Sequence, residues 1–234
     1  MNVRLISLQK KVGNATVELS GCPLKCRYCG HIVSPRTDSS YEKTLAFLSD
    51  SLVNKVYIGG AEPMTQKNEI INLIKVLKQR GKEITLKTTG SDPKSLKETI
   101  GFVSRYIIEI KGPLDDFALV QRLTQLNEEE ARTYLSALQQ SLEVLKGQKI
   151  RIFLRIIPGY VTDDDMERLG KQLKGNVDQV NLVQFMSNKN DLPFDGISTP
   201  SPDIYTMIHY GEILLKYIPW IHVQGNGLDS ILKV

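Results

Sequence analysis

The feature that most constrains this chain is a rhythm: short β-rich runs recur along it, with helical stretches between them. The runs are ATVELSG (15–21), KVYIGG (55–60), EITLKTTG (83–90), YIIEIKG (106–112), KIRIFLRIIPG (149–159) and QVNLVQFM (179–186). SYEKTLAFLSDSL (40–52) carries apolar residues at helical spacing. NEIINLIKVLKQRG (68–81) sets Ile70, Ile71, Leu73, Ile74, Val76 and Leu77 on one face before Gly81 ends it. A further helix is expected near 93–101. The longest spans 127–147, with three glutamates in its first turn where the helix dipole favours them, and Thr162 is a good N-cap for DDDMERLGKQLKG. Six strands alternating with helices imply an α/β fold with a parallel sheet and right-handed crossovers.

After the sixth strand, SNKNDLPFDGISTPSPD (187–203) is rich in Asn, Asp, Pro and Ser and reads as a long loop. A last helix (203–217) and an extended piece, WIHVQG, follow it. A chain of 234 residues, 41% hydrophobic, can bury a substantial core. The expectation is a single domain over 1–234, with its core at about 15–186 and a C-terminal loop, helix and extended segment over 187–234.

Parallel α/β architectures place functional residues at the carboxyl ends of strands and in the loops that follow. The unusual residues of this chain fall there: the cysteines after the first strand, GGAEP after the second, TTG after the third, EIK at the fourth, IIPG after the fifth and QFM at the sixth. Charge excludes other classes. A net charge of +4, with Lys and Arg interleaved among acids, reads as a solvated surface, and no nucleic-acid partner is expected. No segment approaches the ~18–20 consecutive apolar residues of a membrane span, so no membrane partner is expected either. The N-terminus lacks the long apolar run of a secretory signal. Three clustered cysteines cannot build a disulfide framework, which points to a reducing cytoplasm.

All three cysteines, Cys22, Cys26 and Cys29, lie in GCPLKCRYCG (21–30). Buried apolar thiols fit poorly beside Lys25, Arg27, Pro23 and two glycines, which is loop chemistry. A zinc site with His31 as fourth ligand is one reading, although a closed site normally draws ligands from two separated pairs. An iron–sulfur cluster is the other. A four-iron cluster with three thiolates leaves one iron open to an outside ligand, a defect in an electron carrier and a binding site in a catalyst.

C-x3-C-x2-C, as CPLKCRYC with Tyr28 just before the third cysteine, resembles the signature of the radical S-adenosylmethionine enzymes. GGAEP (59–63) resembles that family's Gly-Gly-Glu-Pro segment with one residue inserted. The resemblance spans nearly the whole chain and implies a partial (β/α)6 barrel with parallel strands, the cluster lying in the carboxyl-end loops. It implies a [4Fe-4S] cluster on Cys22, Cys26 and Cys29, and S-adenosyl-L-methionine on the open iron. Reductive cleavage there would give a 5′-deoxyadenosyl radical, the cofactor supplying the chemistry and the protein the orientation.

The same resemblance assigns cofactor contacts. Gly59, Gly60 and Ala61 would offer backbone carbonyls to the cofactor's ammonium, while Glu62 either joins them or fixes the turn. Thr88 lies at the end of the third strand, among the cofactor-binding positions. Glu109 and Lys111 resemble the Asp-x-Lys step of the activating enzymes. Period-two alternation puts both on one face, paired with each other or with the cofactor. RIIPGY resembles a Val-Pro-Gly-Tyr segment of that branch. Arg151 and Arg155 share the parity of its arginine, and Arg155 is favoured as nearer the carboxyl end. Gln184 and Met186 would flank the adenine, with Met186 as core filler the competing reading.

The short chain without further cysteines suits an enzyme that passes its radical to a large substrate. It resembles the activases of glycyl radical enzymes, particularly those of anaerobic ribonucleotide reductase. The partners implied are a glycyl radical enzyme as protein substrate and a flavodoxin or ferredoxin-type electron donor. Two alternatives remain at this point: a radical enzyme acting on a small molecule or peptide, and a non-catalytic metal-binding or electron-transfer protein.

Overall fold

The computed structural model describes residues 2–32, 34–186 and 199–234. In chain order the elements begin with β1 (Asn2–Lys11), β2 (Gly13–Leu19), β3 (Thr37–Ser40), α1 (Tyr41–Leu48), β4 (Val53–Gly60) and α2 (Lys67–Gln79). Then come β5 (Glu83–Thr88), α3 (Pro93–Lys97), β6 (Arg105–Ile110), α4 (Phe117–Leu123), α5 (Glu128–Val144) and β7 (Ile150–Ile156). The chain ends with α6 (Asp163–Leu173), β8 (Gln179–Gln184), α7 (Ile204–Leu215), β9 (Trp220–Gly225) and β10 (Leu228–Lys233).

All ten strands form one sheet in the order β10-β9-β8-β7-β6-β5-β4-β2-β1-β3. From β2 to β9 every neighbouring pair is parallel. The six expected strands therefore stand side by side, and WIHVQG joins them as a seventh parallel strand rather than a loose extended tail. Antiparallel pairs close the two sides: β10 on β9, and β1 on β2 with β3 beyond it. β3 and β10 do not pair with each other, so the wall stays open, a partial barrel.

The strands are half hidden by helices, and the alternation of their side chains reflects it. On the helix side Val56, Ile58, Ile84, Leu86, Ile108, Ile152, Leu154, Val180, Leu182, Ile221 and Val223 are essentially buried. α2 contributes Ile70, Leu73, Ile74 and Leu77, all fully buried. Each such burial is worth about 1.5–3 kcal/mol. α5 starts at the expected place: Asn127 and Glu130 form a reciprocal capping box. Thr162 and Asp165 do the same for α6.

The other face is polar. Registered neighbours place Thr16, Tyr57, Thr85, Ile107, Arg151, Gln179, Lys87, Glu109, Phe153, Asn181, Arg155, Val183, His222 and Gln224 on it. This inner face carries the site. The expected loop over 187–203 falls largely outside the described residues. β1 was not foreseen because only Val3 and Leu5 of its residues are buried, and a mostly exposed strand shows little apolar alternation.

Candidate active site

The cysteine loop leaves the carboxyl end of β2 and is held from several sides. The Ala61 amide donates to Leu19 O (2.9 Å) and the Glu62 amide to Gly21 O (2.9 Å), tying the loop after β4 to the root of the cysteine loop. Gly60 is required there. Its φ is +94°, and a Cβ would stand 2.4 Å from Leu19 N. On the far side the Arg27 amide donates to Leu123 O of α4 (2.9 Å). Lys25, with φ 47°, turns the chain between Cys22 and Cys26 in a region that residues with side chains seldom enter.

Glu62 is 1% exposed, and its carboxylate is saturated. It accepts from Met64 N (2.9 Å), Thr88 Oγ1 (2.8 Å), Thr89 N (2.6 Å) and Thr89 Oγ1 (2.6 Å). Burial raises its pKa, against the pull of those donors. Thr88 is engaged by the same clamp, and its hydroxyl also accepts from the Gly90 amide (3.1 Å). The loops after β4 and β5 are thereby locked to each other.

Lys111 lies just beyond β6 with a side chain only 2% exposed. Its ammonium donates to Tyr28 Oη (2.8 Å) and Glu109 Oε1 (2.7 Å). Lys87 reaches the second oxygen of Glu109 at 2.7 Å and stands 4.1 Å from the centre of the Phe153 ring. Arg155 lies 5.6 Å from the Tyr28 ring centre and 5.9 Å from that of Phe153. Burial works against the charge of Glu109, yet the two ammoniums hold its carboxyl well below the usual range. Lys111 is likewise raised well above an ordinary lysine, because Cys26 and Glu109 outweigh its burial.

Burial pushes the Cys22 thiol up to about 12 and raises Cys26, which Lys111 partly offsets. Burial also lifts Cys29, but the hydrogen bond and charge of His31 prevail and leave that thiol below its ordinary value. The imidazole of His31 is raised by the same bond and stands 4.0 Å from Glu18.

Three cysteines, none in a disulfide, thus lie on one loop. Among the described residues no three His, Cys, Asp or Glu side chains converge closely enough to hold a single ion. A cluster takes one thiolate per iron, so sulfurs spread along a loop suit it. Polar atoms around the loop also want a partner: Arg27 Nε, Tyr134 Oη and Arg155 Nε are buried without one among the described residues. The Tyr134 hydroxyl, reaching in from α5, lies within electrostatic range of Lys111, Cys26, Glu109 and Glu62. Three thiols, a buried ammonium and orphaned donors fit an iron–sulfur cluster with an anionic ligand beside it.

Tyr28, Glu109, Lys111 and Arg155 therefore gather at the cysteine loop, with Gly59–Ala61 at its root. Arg151 lies lower on β7, where its Nε donates to Gln179 (3.0 Å). The structure does not bring Gln184 to the loop: its amide donates to Pro202 O (2.7 Å), and its carbonyl accepts from the Asn226 amide (2.8 Å). Met186 is 47% exposed and lines a shallow cavity of about 400 Å³ with Gln184, Asp203, Ile204 and Tyr205. Sequence reasoning missed Lys87, Tyr57 and Tyr134. Lys87 was discoverable, since period-two alternation from Thr85 puts it on the inner face. Tyr57, on the same parity, spreads its ring where a Gly59 Cβ would lie.

Comparison with known proteins places this geometry. Residues 19–173 match the family model described as the radical SAM superfamily. A protein of Methanocaldococcus jannaschii that carries the provisional name glycyl-radical enzyme activating enzyme is 22% identical over 94% of this chain and 93% of its own length. A 7-carboxy-7-deazaguanine synthase of Methanospirillum hungatei is 26% identical over 63% of this chain and 64% of its own. Among solved structures, a radical SAM methyltransferase from Sphaerobacter thermophilus superposes with a TM-score of 0.69 at 18% identity, covering 93% of this chain and 68% of that one.

Proposed function

This chain belongs to the radical SAM superfamily, its cofactors are a [4Fe-4S] cluster and S-adenosylmethionine, and on that footing we propose that it installs a glycyl radical on a partner enzyme. The observation that carries the proposal is the similarity to the M. jannaschii protein, which runs end to end in both chains. The cluster and S-adenosylmethionine together supply reductive cleavage to a 5′-deoxyadenosyl radical.

Cys22, Cys26 and Cys29 hold the cluster. Lys111, already paired with Glu109 and Tyr28, supplies positive charge for the cofactor's carboxylate, and Glu109 with Lys87 keeps that charge in place. Arg155 and Tyr134 bring donors that lack a partner among the described residues. Gly59, Gly60 and Ala61 offer backbone beside the cofactor's ammonium. Glu62 and Thr88 fix those loops, while Gln184 and Met186 line the cavity beside α7. A flavodoxin or ferredoxin-type donor supplies the electron, in a cytoplasmic setting. Among the described residues no helix is long and apolar enough to cross a membrane.

A second reading has one observation in its favour, the partial likeness to 7-carboxy-7-deazaguanine synthase: a small-molecule substrate. Mixing the reconstituted protein, S-adenosylmethionine, a strong reductant and a glycyl radical enzyme encoded beside it separates the two. The activase reading expects a doublet electron-spin signal on the partner, lost when the partner's candidate glycine is changed to Ala. A silent partner, with 5′-deoxyadenosine formation accelerated by a small molecule, replaces it with the second reading.

A further inference from the structure

Away from the cysteine loop, the inner face of β7–β9 carries a different chemistry. Arg151 Nε donates to Gln179 Oε1 (3.0 Å), Gln179 Nε2 to Asn181 Oδ1 (2.8 Å), and Asn181 Nδ2 to Gln224 Oε1 (3.0 Å). Every link runs the same way, so three strands share one directed ladder. Gln179 and Asn181 are 4% and 6% exposed. Barrel interiors are ordinarily filled by branched apolar side chains, and a buried amide left unpaired would cost about 1–3 kcal/mol. The ladder avoids that cost link by link, and its polarity has a consequence. At its head is a permanent cation, which strengthens the bonds that follow. At its tail is Gln224, half-buried near the carboxyl end of β9, whose amide nitrogen has no partner among the described residues. β9 is the last parallel strand before the open side of the sheet.

We propose that this ladder is the substrate wall of the site, with Gln224 Nε2 donating to a backbone carbonyl of an extended, uncharged peptide segment that enters over β9 and β10. The inference rests on the activase reading and names what that reading leaves open, how the substrate is gripped. A glycine offers no side chain, so recognition around it falls to backbone groups, and side-chain amides match peptide carbonyls in strength and geometry. A carboxylated or phosphorylated substrate calls instead for cations. On this face Lys87 of β5, Lys111 just past β6 and Arg155 of β7 stand beside the cysteine loop. Arg151 is engaged by Gln179 and His222 by Asp229, so β8 and β9 present amides. Arg151 is a positioning residue: it acts through Gln179 and Asn181 and does not touch the peptide.

The test uses the reconstituted holoprotein and a fluorescein-labelled peptide copying the partner's glycine loop. Gln224→Glu keeps an acceptor for Asn181 Nδ2 and removes only the outward donor, so the ladder survives while its tail is reversed. Peptide binding, read by anisotropy, should weaken about tenfold or more in Q224E, and the partner's KM should rise in step, as expected for loss of one hydrogen bond and gain of a repulsion. Arg151→Met should weaken binding by a smaller factor, about two- to fivefold, and Arg151→Lys should recover part of it. S-adenosylmethionine affinity, titrated on the same variants, should stay at the wild-type value. Peptide binding equal to wild type in Q224E overturns the inference and leaves the activase reading standing. A loss of S-adenosylmethionine affinity in Q224E also overturns it, by assigning the ladder to the cofactor. A wild-type protein that binds no peptide and builds no radical on the partner overturns the activase reading and this inference together.

Discussion

Glu62 and Glu109 are two carboxylates near the mouth of one barrel, and their surroundings have opposite character. Among the described residues Glu62 meets only neutral donors, four of them, supplied by Met64, Thr88 and Thr89. Glu109 meets two ammoniums, and one of these also touches the tyrosine of the cysteine loop. The first arrangement is closed: every strong direction of the carboxylate is taken, and what it joins is two stretches of backbone. The second is a set of charges next to orphaned donors, and it gains from an anionic visitor. Residue type alone therefore does not separate scaffold from site. The sign of the partners and the vacancy of their neighbours do.

The largest expected effect lies on the charged side. Lys111→Ala should weaken S-adenosylmethionine binding by about 100-fold or more, the range for removing one partner of a buried charged contact. Isothermal titration on cluster-loaded protein measures it, with circular dichroism as the check on folding. An unchanged affinity in a folded variant would make Lys111 a scaffold group like Glu62 and erase the contrast.

On the closed side the effect should be on stability. Glu62→Gln replaces an all-acceptor group by one whose nitrogen faces donors, so about 2–4 kcal/mol of unfolding free energy should be lost, given ~1.5–3 kcal/mol for a hydrogen bond to a charged group and the unpaired amide it leaves. Urea unfolding of the cluster-free chain gives the value. A loss below about 0.5 kcal/mol would mean that the clamp contributes little and that the loops are held by their backbone bonds alone.

The smallest effect is the most specific, because the two carboxylates oppose each other in pH. The folded-state pKa of Glu109 is depressed, so its contribution is fully present above the unfolded value of about 4.3 and fades as pH falls below it. That of Glu62 is raised, so its contribution is present below about 4.3 and fades as pH rises through the folded value. The stability gap between wild type and Glu109→Gln should thus narrow on acidification, and the gap for Glu62→Gln should narrow as pH rises. Denaturation midpoints from pH 3.5 to 7 would show the two trends crossing; parallel trends would refute the assignment of partners.

Much of this was legible in the sequence where the signal is local. The six central strands are buried on the helix side, so their apolar runs stand out, and Thr162 announces α6 through its own capping chemistry. The resemblance of CPLKCRYC to a family signature singles out Cys22, Cys26 and Cys29, and that of EIK singles out Glu109 and Lys111, which period-two alternation puts on one face. What failed to show depends on distant packing. Tyr134 sits in the apolar stripe of α5 and looks like core; only the seating of that helix brings its hydroxyl near Cys26 and Lys111. Gln184 follows a motif into the site by analogy, yet it shares the parity of the buried Leu182, and Pro202 and Asn226 take up its amide from beyond the strand. The directed ladder has no sequence signature, since its four members lie on three strands and only the register aligns them.

One measurement bears on the central claim before any partner is known: the electron-spin spectrum of the anaerobically reconstituted, reduced protein with and without S-adenosylmethionine. The account predicts about four irons and four sulfides per chain, a reduced-cluster signal that shifts when S-adenosylmethionine is added because it binds the open iron, and loss of that signal in Cys22→Ala, Cys26→Ala or Cys29→Ala. Stoichiometric zinc without iron, or a cluster signal indifferent to S-adenosylmethionine, would contradict it.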